Sequence, residues 1–286
     1  MALIGRVWSK AARARRRFGD SEDWEQGRLD WVRANAPGKS FADIGGMFKY
    51  VGDIAFLAEE SGATEVTMFD VGDPDIICEG NPEWGWFDKK KADRGSNVRY
   101  VQGNLEDPAA VEQIGVHDIV FFSGVLYHTP NPVLQLMQLR AITGELAFIS
   151  TLTIPEVPGF PQACVFYPYL DEDARRPYAN GYWWANDLLA VGPPMDERPM
   201  YGYGNCWWGI TRSALLAMLR SARFEVVRER KMELRPFVTE LVVRPVAAHP
   251  MLPPVTYFRE RGEALARGER PPFEDWYEQT DFQPRG

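Results

Sequence analysis

The stretch SFADIGGMFKY, residues 40–50, decides the fold class expected for this chain. Its first half is a short apolar run that ends in Asp43 and Ile44, which is typical of a strand, and two glycines follow directly. Residues 51–60 then carry apolar side chains at helical spacing. Glycine lets a backbone approach a ligand closely, and the first turn of a helix offers unpaired N–H groups. An ordinary strand-to-helix turn would look the same, so the interpretation depends on the segments that follow.

Those segments continue the alternation of strand and helix as far as residue 154. After the helix over 51–60, the apolar runs predict strands at 65–71, 97–102, 118–123 and 146–153, with a Pro/Gly-rich loop after the first of them. Helices are expected over 107–113 and 132–140 and, with Thr211 as N-cap, over 213–221; the last strands are expected at 225–232 and 238–243. Such alternation implies a parallel sheet covered on both faces. The expected class is α/β: a Rossmann-like, doubly wound, mostly parallel seven-stranded sheet with an antiparallel last strand.

Changes in local composition and sequence pattern along the chain predict three regions. Residues 1–38 form an N-terminal helical extension that ends at Ala36-Pro37-Gly38, a helix stop signal. Residues 39–246 form the main domain, and residues 247–286 form a C-terminal arm. Within the main domain, residues 155–208 are rich in Pro, Tyr, Trp, Gly and Asn and too long for an ordinary connection. We interpret this segment as a lid insertion.

Composition restricts the partners and the compartment. The 286 residues carry a net charge of −8, which disfavours nucleic acid as a partner, since binding phosphate needs a basic face. The three cysteines lie far apart without metal-ligand spacing, and no metal is predicted. No apolar run is long enough for a transmembrane segment, and residues 1–18 lack the apolar core of a signal peptide. A cytoplasmic location is therefore expected, and the oligomeric state stays open.

Polar residues recur where the later strands end. Asp70 ends the second strand, Asn104 follows the third, and Ser123-Gly124 leaves the fourth. Carboxyl ends of parallel strands meet at one edge of an open α/β sheet, and ligands bind at that edge. A carboxylate such as Asp70 can accept both hydroxyls of a ribose. The four strand ends together predict a nucleotide-like ligand more strongly than the two glycines do alone.

These motifs resemble the class I S-adenosylmethionine-dependent methyltransferases over roughly residues 40–245. The stretch DIVFFSGVLYHTPNP, residues 118–132, is similar to the branch that includes the tRNA wobble-uridine methyl- and carboxymethyltransferases, and NCWWGIT, residues 205–211, is similar to its small-molecule methyltransferases. The resemblance implies S-adenosyl-L-methionine as cofactor. It implies cofactor contact for ten residues: Asp43, Gly45, Gly46, Phe48, Asp70, Val71, Asn104, Leu105, Ser123 and Gly124.

The resemblance also implies which part of the cofactor each group would hold. Asp43 and the two glycines would bracket the methionine moiety, and Asp70 would hold the ribose. Asn104 and Leu105 would contact adenine, and Ser123-Gly124 would line the sulfonium side. The loop departs from the family at one point, where a third glycine is usual and this chain has Phe48 and Lys49. The dinucleotide pattern Gly-x-Gly-x-x-Gly is absent, which disfavours a dehydrogenase.

His128 is the candidate catalytic residue. Methyl transfer depends mainly on alignment and exclusion of water, but a hydroxyl acceptor benefits from a general base, and imidazole titrates near neutrality. A helix cap or a packing role beneath the lid is equally compatible with its position. The substrate-binding residues are expected to be aromatic or imidazole side chains next to the cofactor: Tyr127, His128, Tyr182, Trp184, Trp207 and Trp208. Four acidic lid residues could bind a divalent ion, although solvated loop positions fit them better: Asp171, Glu172, Asp173 and Asp187.

Three functions remain open from the sequence. The favoured one is methylation of a small-molecule acceptor, through a hydroxyl of a sugar or secondary metabolite. A tRNA-modifying enzyme of the wobble-uridine group is the first alternative, and its only basic clusters would be residues 13–17 and 89–91. A non-catalytic binding module that has lost its cofactor is the second, supported by the unusual residues 48–49.

Overall fold

A computed structural model describes residues 21–48, 50–80, 82, 85–167, 207–230, 237–246 and 262–269. The chain divides into two compact units, Met1–Ala247 and Ala248–Gly286. In the second unit, residues 262–266 are helical. All elements named below belong to the first unit. The division of the chain at residues 38 and 246 stays a prediction.

The first unit alternates helices and strands along most of its described length. Its helices are α1 (Ser21–Asn35), α2 (Asp53–Glu60), α3 (Pro74–Gly80), α4 (Phe87–Arg94), α5 (Pro108–Ile114), α6 (Pro132–Ile142) and α7 (Arg212–Ser221). A 3-10 turn covers Leu126–His128. Its strands are β1 (Ser40–Ile44), β2 (Glu65–Asp70), β3 (Arg99–Gln102), β4 (His117–Ser123), β5 (Thr143–Leu152), β6 (Cys164–Phe166), β7 (Trp208–Ile210), β8 (Phe224–Arg230) and β9 (Val238–Pro245).

Seven of these strands form one sheet in the order β3-β2-β1-β4-β5-β9-β8. The first five run parallel to one another, and β9 pairs antiparallel with both β5 and β8. The last strand that the structure describes, β9, is thus the antiparallel one. This topology confirms the expected Rossmann-like α/β class. Strand β6 lies within the segment interpreted as a lid, and it forms a separate antiparallel pair with β7, which begins at the last residue of that segment.

Each face of the sheet carries its own apolar core. The alternation along β4 shows the division, because Phe122 belongs to the cluster that includes residues of α5, α6 and α7, whereas Phe121 belongs to the cluster under α1 and α2. Trp31 of α1 packs on the cluster that contains Phe121, and its ring centroid lies 5.2 Å from that of Phe148. Burial of one such aromatic side chain contributes roughly 2–3 kcal/mol. Helix α1 is therefore part of the layer that covers the sheet.

A buried ion pair also fastens α1 to the sheet. Glu240 of β9 is fully buried, and Arg28 of α1 donates to it over 2.8 Å and to Ser150 of β5 over 2.6 Å. Arg230 of β8 approaches the second oxygen of Glu240 at 3.4 Å. A helix residue with a Cβ at position 27 would collide with the Arg230 guanidinium, so Gly27 makes room for it. The cluster fixes α1 against the three strands on that side of the sheet.

The structure corrects one expectation about the region after β2. The Pro/Gly-rich segment that the sequence indicated as a loop contains two helices, α3 and α4. Phe87 anchors α4, since its ring stacks on Phe56 of α2 at 5.5 Å and lies 5.6 Å from the ring of Tyr100. A tertiary contact of this kind outweighs weak local helix propensity.

His117, at the start of β4, is buried away from the carboxyl edge and is held neutral by its neighbours. Its Nε2 lies 3.0 Å from the hydroxyl of Thr67, which already accepts from Arg99 and therefore donates to the ring. Its Nδ1 lies 3.2 Å from the carbonyl of Gly115, so the proton sits there. Burial lowers the pKa of His117 from its usual value. The ring is a structural core histidine.

Acidification is expected to destabilise the protein through His117. Because its pKa is lower in the folded chain, its contribution to stability is fully present above the unfolded value of about 6.5 and is lost as pH falls through the folded value. The limiting slope is about 1.4 kcal/mol per pH unit. Urea unfolding of wild type and His117→Gln at pH 7 and pH 5 measures how much of the loss of stability on acidification is due to His117. Equal pH dependence in the two proteins would contradict the assignment.

Candidate functional site

The predicted strand ends lie side by side at the carboxyl edge of the sheet. Ile44 pairs with Phe69 on one side and Phe122 on the other, which puts Gly45, Asp70 and Ser123 at the same level. The backbone closes this edge, since the Gly45 amide donates to the Phe69 carbonyl over 2.7 Å. The structure thus brings together, around one loop, the residues that were expected to contact the methionine, ribose and sulfonium parts of the cofactor.

The β1–α2 loop has two positions that only glycine can occupy without rearrangement. Gly45 has φ +84°, and a Cβ there would lie 2.2 Å from Cγ2 of Val125. A Cβ on Gly46 would lie 2.3 Å from Oδ2 of Asp43. The loop therefore passes directly over Asp43 and against the turn that follows β4, and the absence of side chains at these two positions permits both contacts.

The third glycine of this loop is Gly52, which the sequence reasoning missed. Gly52 has φ +82° at the N-cap of α2, and its amide donates to the Gly46 carbonyl over 2.9 Å. Val51 before it also has a positive φ of 46°, unusual for a β-branched residue. Phe48 is 67% exposed at this edge, as is Val71 after β2. A glycine within the first turn of the helix predicted over 51–60 was the available signal, and the helix begins after it, at Asp53.

Gly52→Ala is expected to destabilise the fold more than Gly38→Ala. Both glycines have positive φ, which costs alanine about 1–2 kcal/mol. Only at position 52 would the new Cβ approach aromatic rings, at 2.9 Å from Phe87 and 3.0 Å from Phe56. Overpacking adds about 1–3 kcal/mol. Urea unfolding of both variants measures the difference in their free energies of unfolding. Equal decreases in the two variants would show that the rings of Phe87 and Phe56 can move aside without loss of stability.

Asp70 accepts backbone hydrogen bonds on both of its oxygens. Met47 donates to Oδ2 over 2.9 Å and Gly72 to Oδ1 over 3.0 Å. Burial raises the pKa of the carboxyl group, while these amides and the positive charge of His128 act in the opposite direction. Each carboxylate oxygen has a second lone pair, so Asp70 can still accept hydroxyl donors. The two amides fix its orientation at the mouth of the loop.

Asp43 is buried beneath this loop. It is 2% exposed, and its Oδ2 has no hydrogen-bond partner among the described residues. Burial raises the pKa of Asp43 to about 8, the charge of Asp70 acts in the same direction, and the amide of Ala55 opposes them. A buried polar atom without a partner is uncommon in proteins and calls for an explanation.

Asn104 and Leu105 follow β3 at the same edge with different exposures. Asn104 is exposed, and its Oδ1 accepts from the Glu106 amide over 3.0 Å. The side chain of Leu105 is buried in the core, so any contact with a ligand at the edge would involve its backbone. Glu106, which the sequence reasoning missed, accepts from Thr129 and, over 2.7 Å, from Asn131. It ties the loop after β3 to the turn after β4.

That turn presents Tyr127 and His128. Gly124 has φ +78° and donates to the Ser150 carbonyl over 2.9 Å, which directs the chain out of β4 and into the 3-10 turn. The rings of Tyr127 and His128 are 4.2 Å apart, and His128 is exposed. The charge of His128 acts on the carboxyl group of Asp70 and lowers its pKa, so the two side chains lie within electrostatic range of each other.

Aromatic residues of β6, of β7 and of the position just before β7 lie beside this turn. The Trp207 amide donates to the Tyr127 carbonyl over 3.1 Å, and Trp208 Nε1 donates to the Pro130 carbonyl over 3.0 Å. Phe166, missed in the sequence, lies 4.8 Å from the Trp208 ring. Tyr182 and Trp184 lie outside the described residues. The described part of the predicted substrate wall is therefore Tyr127, His128, Trp207 and Trp208, extended by Phe166.

The described part of the chain contains neither a candidate metal site nor a candidate membrane-spanning helix. It contains no group of three or more His, Cys, Asp or Glu residues that could hold a metal ion. The four acidic lid residues, 171–173 and 187, lie outside it. Among the described helices, none combines the length and hydropathy needed to cross a bilayer.

No family model and no curated protein matches the sequence. Among solved structures, the chain is similar to the N-terminal domain of EvdMO1 in the presence of SAH and D-fucose, at 19% identity over 77% of this chain and 83% of that one, with a TM-score of 0.48. It is similar to magnesium protoporphyrin IX methyltransferase from Synechocystis PCC 6803 with bound SAM, at 13% identity over 80% and 81%, with a TM-score of 0.49. An S-adenosylmethionine dependent methyltransferase from Mesorhizobium loti aligns at 16% identity over 75% and 96%, with a TM-score of 0.47. The fold assignment rests on the strand order, and the site on this chain's own contacts.

Proposed function

We propose that this protein is an S-adenosylmethionine-dependent methyltransferase that transfers a methyl group to a hydroxyl of a small molecule, such as a sugar or secondary metabolite. The observation that carries the proposal is the combination at one sheet edge of a glycine loop, an oriented carboxylate and a buried carboxyl group. Asp70 is fixed by two amides with its remaining lone pairs available, and Asp43 has an unpartnered oxygen under Gly46. A ligand with vicinal hydroxyls at one end and cationic groups at the other fits this set.

The residues divide between the two ends of such a cofactor. Asp70 would accept the ribose hydroxyls, and exposed Asn104 would meet adenine, together with the backbone at Leu105. Asp43, Gly45 and Gly46 would face the methionine end, with Ser123 and Gly124 on the sulfonium side. Phe48 and Val71, both exposed at this edge, would cover part of the bound nucleoside.

The acceptor would lie next to the turn after β4. Phe166, Trp207 and Tyr127 supply flat apolar surface, which suits a ring-bearing acceptor. His128 is exposed beside Tyr127 and can take the hydroxyl proton as the acceptor oxygen becomes a nucleophile. The cofactor would supply the electrophilic methyl group as a sulfonium. The contribution of the protein is otherwise alignment of the reacting atoms and exclusion of water.

Calorimetric titration with S-adenosylhomocysteine tests the proposal. We expect saturable binding with about 1:1 stoichiometry and a rise in melting temperature, because a ligand that binds only the folded state stabilises it. NAD serves as a control, since it shares the adenosine and lacks the methionine end. If S-adenosylhomocysteine produced no binding heat and no thermal shift, the result would favour a non-catalytic binding module.

A further inference from the structure

Asp43 is placed where its charge state can respond to a ligand. Its carboxyl group is buried, one oxygen is unpartnered, and that oxygen lies directly beneath the backbone of Gly46. Gly46 belongs to the loop that would face the methionine end of the cofactor. A Cβ on Gly46 would lie 2.3 Å from this oxygen, so the carboxyl group fills the space that a side chain would need. A charge bound against this loop would therefore act on Asp43 at short range.

The surroundings of Asp43 disfavour its anion in the ligand-free protein. β4 contributes apolar Phe121 as its neighbour in register, and β2 contributes the carboxylate of Asp70 near its end. α2 contributes the Ala55 amide, which favours the anion, and Asp53, which disfavours it. Desolvation and two like charges outweigh one amide, which agrees with the raised pKa of about 8.

We propose that Asp43 makes the site selective for a ligand with an ammonium group at the methionine end, because its carboxyl group is neutral without ligand and gives up its proton when that α-ammonium group binds. This proposal rests on the proposed function. The proton leaves to solvent, and the resulting carboxylate is compensated by the α-ammonium group of the bound ligand. Binding is then linked to pH: affinity rises with pH up to the value at which Asp43 ionises without ligand.

Proton release on binding can be measured without an acceptor. Wild-type protein is titrated with S-adenosylhomocysteine at pH 7 in buffers of different ionisation enthalpy, and the dependence of the heat on buffer gives the number of protons released. For a group of pKa about 8 we expect roughly 0.9 proton. The dissociation constant is expected to fall by up to about tenfold per unit from pH 6 to pH 8.

Two isosteric variants identify the group responsible. Asp43→Asn, which resembles the neutral acid, is expected to release no proton and to bind with little pH dependence. Asp70→Asn is expected to bind more weakly and still release a proton, although less of one at pH 7, because the charge of Asp70 no longer raises the pKa of Asp43. Binding by wild type without proton release, or unchanged release by Asp43→Asn, would overturn this proposal alone. No binding by wild type at all would overturn the proposed function as well.

A stability measurement covers the case in which Asp43→Asn binds poorly. A group whose pKa is higher in the folded chain favours folding at low pH, and that advantage is lost as pH rises through the folded value. The unfolding equilibrium of wild type is therefore expected to shift toward the unfolded state between pH 6 and pH 8, relative to Asp43→Asn, by up to tenfold per unit. Parallel pH profiles of the two proteins would overturn the neutral state of Asp43.

Discussion

Replacement of His128 by alanine is expected to lower methyl-transfer turnover by about 100- to 10,000-fold, the usual contribution of a general base. The affinity for S-adenosylhomocysteine is expected to stay within about threefold of wild type, since the proposed role of His128 is toward the acceptor. The physical reason is the loss of the group that takes the acceptor's proton. Turnover is measured with radiolabelled S-adenosylmethionine and the best acceptor found in a panel of sugar and phenolic hydroxyls.

His117 provides the matched control for this substitution. It is also an imidazole, but it lies buried at the start of β4, away from the carboxyl edge. His117→Gln is therefore expected to change stability and leave turnover per folded molecule unchanged. Added imidazole is expected to restore part of the turnover of His128→Ala. Wild-type turnover in His128→Ala would show that the acceptor needs no base at this position.

Asp70→Asn is expected to weaken S-adenosylhomocysteine binding by roughly 30- to 150-fold, equivalent to about 2–3 kcal/mol for lost charge-assisted hydrogen bonds to the ribose. The substitution replaces one oxygen with an NH₂ group. In this position it would face either the Met47 or the Gly72 amide, so the orienting contacts suffer as well. Calorimetric titration measures the loss directly.

The ligand itself offers the control for Asp70. A 2′,3′-dideoxy analogue of S-adenosylhomocysteine lacks both hydroxyls, so wild type and Asp70→Asn should bind it with similar affinity. Asp75→Asn, which changes an exposed acid on α3, should bind S-adenosylhomocysteine like wild type. If Asp70→Asn lost the same factor toward both ligands, its effect would come from the loop and not from the ribose.

The sheet could be predicted from the sequence because local and tertiary preferences agree there. β1 begins and ends at the expected residues, Ser40 and Ile44, since an apolar run stops at two glycines. Thr211 caps α7 as expected, with its hydroxyl accepting from the Ala214 amide over 3.2 Å. The carboxyl-edge grouping also followed from the sequence, because parallel strands connected by helices must end on one side.

Other features depend on contacts between distant residues, which local patterns do not reveal. α4 depends on Phe87 packing against Phe56, and α1 is fixed by Arg28 and Glu240, which are 212 residues apart. Gly52 was missed because the family pattern places its third glycine earlier. Phe166 becomes part of the aromatic wall only through the pairing of β6 with β7.

A crystal structure with S-adenosylhomocysteine is the most direct test of the cofactor site. We expect a ligand at the carboxyl edge, with ribose hydroxyls on Asp70 and the methionine end over Gly45 and Gly46. Asp43 should lie within hydrogen-bonding or ion-pair distance of that end, or be linked to it by one water. A ligand bound elsewhere, or a nucleoside without contact to Asp70, would contradict it.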